Sequence, residues 1–173
     1  MTTILLARHG QTDWNRDGRY QGHADPPLNE TGRVQAGELA EALSDDPLDA
    51  VYASDLRRAY ETAEIVGARL GLPVAREKGL REVDVGSWEG LKREQTNGRD
   101  WDGETYEQHR ERLLLALRKI GEIHPGGRVL VISHGGSLRR IQEVVVGEAL
   151  PVVDYCSVWP ILVDEGGGLR RLD

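Results

Sequence analysis

Two short apolar segments, each followed within a few residues by a histidine and a glycine, constrain the fold of this chain more than any other feature. Thr3–Leu6 runs into Ala7-Arg8-His9-Gly10, and Val129–Ile132 runs into Ser133-His134-Gly135-Gly136. Uninterrupted apolar runs of this kind, rich in branched residues, are typical of strands buried on both faces of a sheet. Open α/β sheets bind ligands at the carboxyl ends of such strands. The sequence therefore predicts that the two histidines face one pocket.

Amphipathic segments separate the predicted strands, which favours a parallel sheet between helical layers. The pattern predicts helices from an Asn29 cap to about Leu43, from a Ser54 cap to Leu70, from Thr105 onward and over about 137–146, and strands over 49–53 and 73–76. Residues 79–103 are predicted to be mostly loop. Residues 155–163 and 169–172 indicate a closing hairpin in which Pro160 favours an edge or a break. The predicted fold is α/β, a three-layer sandwich with a mostly parallel central sheet and helices on both faces.

The composition of the chain argues against several classes of function. Its 173 residues suit one domain, and no segment approaches the roughly 18 to 20 apolar residues of a membrane span. A formal charge of −7 argues against binding to nucleic acid or to an anionic membrane surface. The N-terminus does not resemble a signal peptide, and the single cysteine, Cys156, cannot form an internal disulfide. We therefore expect a cytoplasmic protein.

Arg58 is the first candidate that adds to the two histidines. It lies in the first turn of the helix predicted after Ser54. A cation at this end opposes the helix dipole, and a bound anion would offset that mismatch. Ion pairs with Glu61 or Asp55 are the alternative explanation.

Glu82 is the second candidate, and it lies in the segment Leu80–Gly90, which contains a tryptophan and two glycines. A carboxyl group in this position could protonate a leaving alcohol. Asp84 and Glu89 are rivals for that role, and the spacing does not decide among the three.

The sequence has no arrangement typical of a metal site, since it has one cysteine and no His-Glu-x-x-His. We expect His23, His109 and His124 to be surface residues. Arginine, histidine and glycine-rich turns without a metal fit a phosphate group. Neighbouring arginines disfavour the imidazolium form of His9, so that its neutral ring could attack phosphorus.

Four motifs, in order along the chain, resemble those of the histidine phosphatase superfamily, the phosphoglycerate-mutase-like enzymes. They are Arg8–Asn15, Ser54–Ala63, Leu80–Gly90 and Ser133–Gly136. The resemblance implies that His9 is a nucleophile that forms a phosphohistidine, and that Glu82 protonates the leaving oxygen and later activates water. It implies that Arg8, Arg58 and His134 bind the phosphoryl group, and that the family needs no metal or cofactor. The substrate-binding residues that we expect are Asn15, Gln21, Gly22 and Gly135.

The chain departs from the family pattern in two places. Gln11 stands where many members have glutamate, and the stretch from Leu91 to Gly103 is short where larger relatives carry inserted helices. We therefore predict a single histidine phosphatase domain over residues 1–173, with a short cap segment at about 91–103 and an open pocket.

The expected function is hydrolysis of a small phosphorylated metabolite by a metal-independent phosphomonoesterase. An open pocket admits water, and Arg81–Gly86 resembles the phosphatase members of the family. The alternatives are phosphoglycerate-mutase-type transfer, a protein phosphohistidine phosphatase and, outside enzymes, a phospholigand-binding regulatory module. The identity of the substrate and the oligomeric state stay open, a homodimer included.

Overall fold

Within residues 1–148 and 150–172, which a computed structural model describes, six strands form one central sheet. The strands are β1 (Thr2–Arg8), β2 (Ala50–Ala53), β3 (Val74–Arg76), β4 (Arg128–Ser133), β5 (Val158–Val163) and β6 (Leu169–Arg171). The α-helices of this part are α1 (Asp13–Arg16), α2 (Glu30–Ala42), α3 (Arg57–Leu70), α4 (Tyr106–Ile123) and α5 (Gly135–Val146). The order across the sheet is β3-β2-β4-β1-β5-β6. The first four of these strands are parallel, and β5 and β6 are antiparallel to their neighbours.

The helices cover both faces of the sheet, because the central strands are apolar on both sides. In β1, Ile4 and Leu6 pack in one buried cluster with residues of α4 and α5. Leu5 and Ala7 point the other way and pack with residues of α2 and α3. The predicted three-layer α/β fold with a mostly parallel sheet is therefore confirmed. No helix of the described residues combines the length and the apolar character needed to cross a bilayer.

The pairing of β1 with β4 brings the two histidine motifs together. Arg8 lies opposite Ser133 in the parallel register, and each histidine is the next residue in its chain segment. The backbone N–H of His9 donates to the Ser133 carbonyl at 3.0 Å. The imidazole rings lie with their centroids 5.1 Å apart. His9 and His134 therefore meet at the carboxyl edge of the sheet, but of these two described residues only His9 lines the cavity there, and His134 is fully buried.

The predicted Ser54 cap is wrong. The helix α3 begins at Arg57, and its N-cap is Leu56, which makes no side-chain capping bond. Ser54 still belongs to the end of the sheet, since its N–H donates to the Ile132 carbonyl at 3.0 Å. Its hydroxyl oxygen accepts from the N–H of Leu56, ahead of the first helical turn, and lies 2.8 Å from the ring of His134.

The hairpin of β5 and β6 is confirmed, but β5 is not an edge strand. The strand β6 pairs with Ile161–Val163 and forms the edge itself. Pro160 lies one residue outside this pairing, where β5 is locally an edge. The missing N–H of proline is tolerated there for that reason.

The helix α5 begins at Gly135, two residues before the predicted start. Residues 79–103, predicted to be mostly loop, contain the 3-10 helices Gly86–Trp88 and Arg93–Thr96 and the end of a third, Lys78–Leu80.

A close backbone contact after β1 leads to a prediction about stability. A Cβ atom on residue 10 would lie 2.9 Å from the Cα of Gly32 in α2, and closer still to its carbonyl oxygen. We expect Gly10→Ala to lower the free energy of unfolding by about 1 to 3 kcal/mol, because backbone atoms must move apart. Urea denaturation measures this change.

The matched control is Gly37→Ala on the exposed side of the same helix, where an added Cβ meets no atom within 4 Å. It is expected to raise the free energy of unfolding by about 0.5 to 1 kcal/mol, since alanine favours a helix. A Gly10→Ala variant as stable as the unaltered chain would show that this contact is not a constraint.

Candidate active site

His9 is buried at the end of β1, with 2% of its surface exposed. Its Nδ1 lies 2.6 Å from the carbonyl oxygen of Gly10. A carbonyl oxygen only accepts, so Nδ1 carries the hydrogen and Nε2 of the neutral ring keeps its lone pair. The residue also lines a cavity of about 400 Å³. The ring is therefore arranged as a nucleophile or base at Nε2.

Burial and nearby cations keep both histidine rings neutral. Burial, followed by the Arg58 guanidinium, lowers the pKa of His9 well below its ordinary value. The same two causes lower the pKa of His134, whose side chain is fully buried. The Nε2 atom of His134 lies 2.8 Å from the Ser54 hydroxyl. Ser54 thus orients the second histidine.

Arg58 is buried at the start of α3, with 1% of its surface exposed. Its two terminal nitrogens donate to the carbonyl oxygens of Gly22 and Ala24 at 2.9 and 2.8 Å. Burial lowers its pKa to about 10, so that it stays charged at neutral pH. Among the described residues the bonded partners of this group are carbonyl oxygens and not carboxylates, while Glu82, Asp25 and Glu89 act on its charge from a distance.

The ion pairs considered for Arg58 at the level of sequence are absent from the described residues. Asp55 is paired with Arg81 at 2.7 Å, and Glu61 is paired with Arg33 at 2.8 Å. The two carboxylates nearest to Arg58 in sequence are therefore each engaged by another arginine.

Arg8 is another of the arginines that line the cavity. One terminal nitrogen donates to the Val153 carbonyl at 3.1 Å, and the group lies 3.9 Å from the centre of the Tyr155 ring. Across the described residues, the Nε atoms of Arg8 and Arg58 and the Nδ1 atom of His134 are buried without a hydrogen-bond partner. Buried polar atoms without partners are costly, so this group of atoms suits an anion with several oxygen acceptors.

Glu82 is the one carboxylate among the described residues that line the cavity. Its carboxylate accepts from the backbone N–H groups of Val83 and Gly136, each at 2.9 Å. The rivals Asp84 and Glu89 do not line the cavity. The Glu89 carboxylate accepts from backbone N–H groups of the loop at residues 23 and 24.

The four predicted substrate-binding residues all line the same cavity: Asn15, Gln21, Gly22 and Gly135. The Oδ1 atom of Asn15 accepts from the backbone N–H of Thr12, and Oε1 of Gln21 accepts from the Thr12 hydroxyl. With its oxygen engaged in this way, each side chain keeps its amide N–H groups for a ligand. Gly22 has a φ of +52°, and its carbonyl orients Arg58.

Sequence reasoning missed two residues around Glu82. A Cβ atom on Gly136 would lie 2.6 Å from the Glu82 carboxylate, so only glycine lets that carboxylate reach the first turn of α5. The Gly-Gly pair was the available signal. The expectation of a surface position is wrong for His109, which is 1% exposed, because it lies on the buried side of α4. His23 and His124 are half-buried.

The segment 91–103 reaches the cavity through Arg93 and Trp101, and Trp101 packs edge-on against Trp88 with ring centroids 4.9 Å apart. A second cavity of about 530 Å³ shares Arg93 and Arg19 with the first. Among the residues that the structure describes, no group of three or more histidine, cysteine, aspartate or glutamate side chains is placed to hold a metal ion.

Comparison with known proteins agrees with this geometry. Residues 4–168 match the model of the histidine phosphatase superfamily, branch 1. Phosphoglycerate mutase-like protein 4 of Arabidopsis thaliana is 39% identical over 159 residues, which cover 81% of this chain and 69% of that protein. The uncharacterized phosphatase PhoE of Bacillus subtilis is 37% identical over 152 residues, which cover 85% of this chain and 79% of that protein.

A solved structure shows the same fold over almost the whole length. Bacillus stearothermophilus YhfR superposes with a TM-score of 0.91 and 32% sequence identity, covering 99% of this chain and 95% of that one. The family model and these relatives confirm the resemblance carried by the four sequence motifs. This chain belongs to the histidine phosphatase superfamily.

Proposed function

We propose that this chain is a metal-independent phosphomonoesterase that hydrolyses small phosphorylated metabolites through a phosphohistidine on His9. One observation carries the proposal: a buried imidazole with a free Nε2 lies beside two arginines whose Nε atoms have no partner among the described residues. The phosphorus of a phosphoryl group can be attacked by this imidazole, and its oxygens can accept hydrogen bonds from these arginines. Residues 1–173 would form one catalytic domain, with about 91–103 as a short cap segment.

The first step is transfer of the phosphoryl group to His9. Its Nε2 lone pair attacks phosphorus, a P–N bond forms, and the bond to the ester oxygen breaks with its electron pair on that oxygen. Glu82, protonated at this stage, gives its proton to the leaving oxygen, which departs as an alcohol. Arg8, Arg58 and His134 stabilise the charge on the phosphoryl oxygens during the transfer.

The second step returns the enzyme to its starting state. Water attacks phosphorus while the Glu82 carboxylate takes one of its protons. The P–N bond breaks, its electron pair returns to Nε2, and inorganic phosphate leaves. The amide groups of Asn15 and Gln21 and the glycine turns at Gly22 and Gly135 would hold the substrate from the other side.

Phosphoglycerate-mutase-type transfer is the second candidate, favoured by the match to a mutase-like protein of Arabidopsis thaliana. In a mutase, the phosphoryl group passes from the phosphohistidine to a second oxygen of the phosphoglycerate instead of to water. Isomerisation of 3-phosphoglycerate that is stimulated by 2,3-bisphosphoglycerate and exceeds hydrolysis would select this alternative.

The His9→Ala variant tests the nucleophile. We expect its kcat for p-nitrophenyl phosphate to fall on the order of 10³-fold or more, because no group remains to form the intermediate. The unaltered enzyme, quenched after brief exposure to radiolabelled substrate, should retain an acid-labile and alkali-stable label. His124→Ala is the control, since His124 is bonded to Tyr52 and lies outside the cavity. Hydrolysis unchanged in His9→Ala would exclude this mechanism.

The Glu82→Gln variant tests the proton donor through the basicity of the leaving group. General acid catalysis contributes about 10² to 10⁴-fold, and most where the leaving oxygen is strongly basic. We expect kcat/KM to fall by about 10²-fold or more for glycerol 2-phosphate and far less for p-nitrophenyl phosphate. The exposed Glu107→Gln in α4 is the control. An equal loss for both substrates would assign Glu82 a structural role.

The protonation of the histidine rings gives a pH prediction. A buried base with a lowered pKa takes up its proton only at a lower pH, so His9 and His134 should stay neutral below the ordinary histidine midpoint of about 6.5. Nitrogen-15 NMR of labelled histidine follows each ring, with assignment by His9→Ala and His134→Ala. A midpoint at or above that of free histidine would show that His9 is not held neutral.

A further inference from the structure

A buried histidine outside the proposed mechanism touches the machinery through one serine. His109 follows the spacing of Leu113 and Leu117 on the buried side of α4. Its Nε2 atom lies 3.0 Å from the hydroxyl oxygen of Ser137 in α5. Burying a polar imidazole on this apolar side is less favourable than burying a leucine there. The one hydrogen-bond partner described for its side chain therefore points to a role for this histidine.

Ser137 connects that histidine to the candidate acid. Its hydroxyl oxygen is fully buried and lies 3.1 Å from the Arg81 carbonyl and 3.3 Å from Oε1 of Glu82. Both of those groups accept, and a hydroxyl group has one hydrogen to give. An ionised carboxylate is a stronger acceptor than a neutral imidazole, so with Glu82 ionised the hydroxyl hydrogen goes to Glu82, and Nε2–H of His109 is then the donor to Ser137.

The rest of the Glu82 residue is held from other directions. Its carbonyl oxygen accepts from His23 at 2.8 Å and from Arg112 at 3.3 Å. Its carboxylate accepts from the backbone N–H groups of Val83 and Gly136. These donors are fixed by the backbone or by other bonds, whereas the Ser137 hydroxyl can turn between Glu82 and the Arg81 carbonyl.

We propose that His109 is a positioning residue that acts through Ser137 to orient the Glu82 carboxyl for proton transfer. By donating to the serine oxygen, His109 fixes the hydroxyl group as a donor directed at the Arg81 and Glu82 side. The hydroxyl hydrogen points at Oε1 when Glu82 is ionised and at the Arg81 carbonyl when Glu82 is protonated. The inference rests on the proposed function, since it concerns the same proton transfer.

His109→Leu removes the donor and keeps an apolar side chain of similar size. We measure kcat/KM for p-nitrophenyl phosphate, phenyl phosphate and glycerol 2-phosphate, whose leaving groups increase in basicity in that order. We expect about a 10-fold loss for glycerol 2-phosphate, an intermediate loss for phenyl phosphate and less than about twofold for p-nitrophenyl phosphate, as a share of the general-acid contribution. His109→Gln, whose amide N–H replaces Nε2–H, should restore most of the loss.

Two further variants separate positioning from simple packing. Ser137→Ala should reproduce the dependence on the leaving group, and it decides the question if His109→Leu does not fold. In Glu82→Gln, adding His109→Leu should cause no further loss, because the group through which His109 acts is already gone. His124→Leu is the control histidine, bonded to Tyr52 away from the cavity.

The outcomes distinguish this inference from the proposed function. An unaltered enzyme that hydrolyses none of the three esters contradicts the proposed function itself. Suppose that the loss of kcat/KM in Glu82→Gln depends on the leaving group. If His109→Leu and Ser137→Ala then show no loss, or an equal loss for all three esters, only the role of His109 is overturned. A failure of His109→Gln to restore activity in a folded protein also overturns it.

Discussion

The parallel pairing of β1 with β4 is the constraint on which the site depends. Because Arg8 lies opposite Ser133, the next residue of each strand is a histidine at the same edge of the sheet. The backbone of Gly10 then packs directly on Gly32 of α2, and the Gly10 carbonyl sets which ring nitrogen of His9 carries hydrogen. The position and tautomer of His9 thus follow from strands that are buried on both faces, and both depend on main-chain contacts.

The electrostatics of the pocket oppose those of the molecule. A chain with a formal charge of −7 buries a charged guanidinium at Arg58 and binds it with two carbonyl oxygens. Carbonyl dipoles orient the group without neutralising it, and Asp55 and Glu61 are paired with other arginines. Glu82, Asp25 and Glu89 act on this charge from a distance, and it adds to burial in disfavouring protonation of the neighbouring histidines.

The sequence was sufficient for the features that depend on local pattern. The apolar runs before His9 and His134 predicted the two central strands and their meeting point, and the spacing of apolar residues predicted the long helices. The family resemblance supplied Glu82, which local spacing could not separate from its rivals. The roles of Ser54, Gly136 and His109 depend on partners 80, 54 and 28 residues away in the chain. No local rule for capping or exposure contains such contacts, so Ser54 was assigned to a helix cap and His109 to the surface.

The proposed catalytic groups and the segment that reaches over the cavity belong to different parts of the architecture. The amide of His9 donates to the Ser133 carbonyl, so hydrogen exchange at this position requires the ends of β1 and β4 to separate. Arg93, at the start of a short 3-10 helix, and Trp101 approach the same cavity from a connecting segment outside the sheet. Loops of this kind tolerate replacement far better than buried strands do. Replacements at Arg93 or Trp101 can therefore alter one side of the cavity while the arrangement around His9, built on the sheet, stays in place.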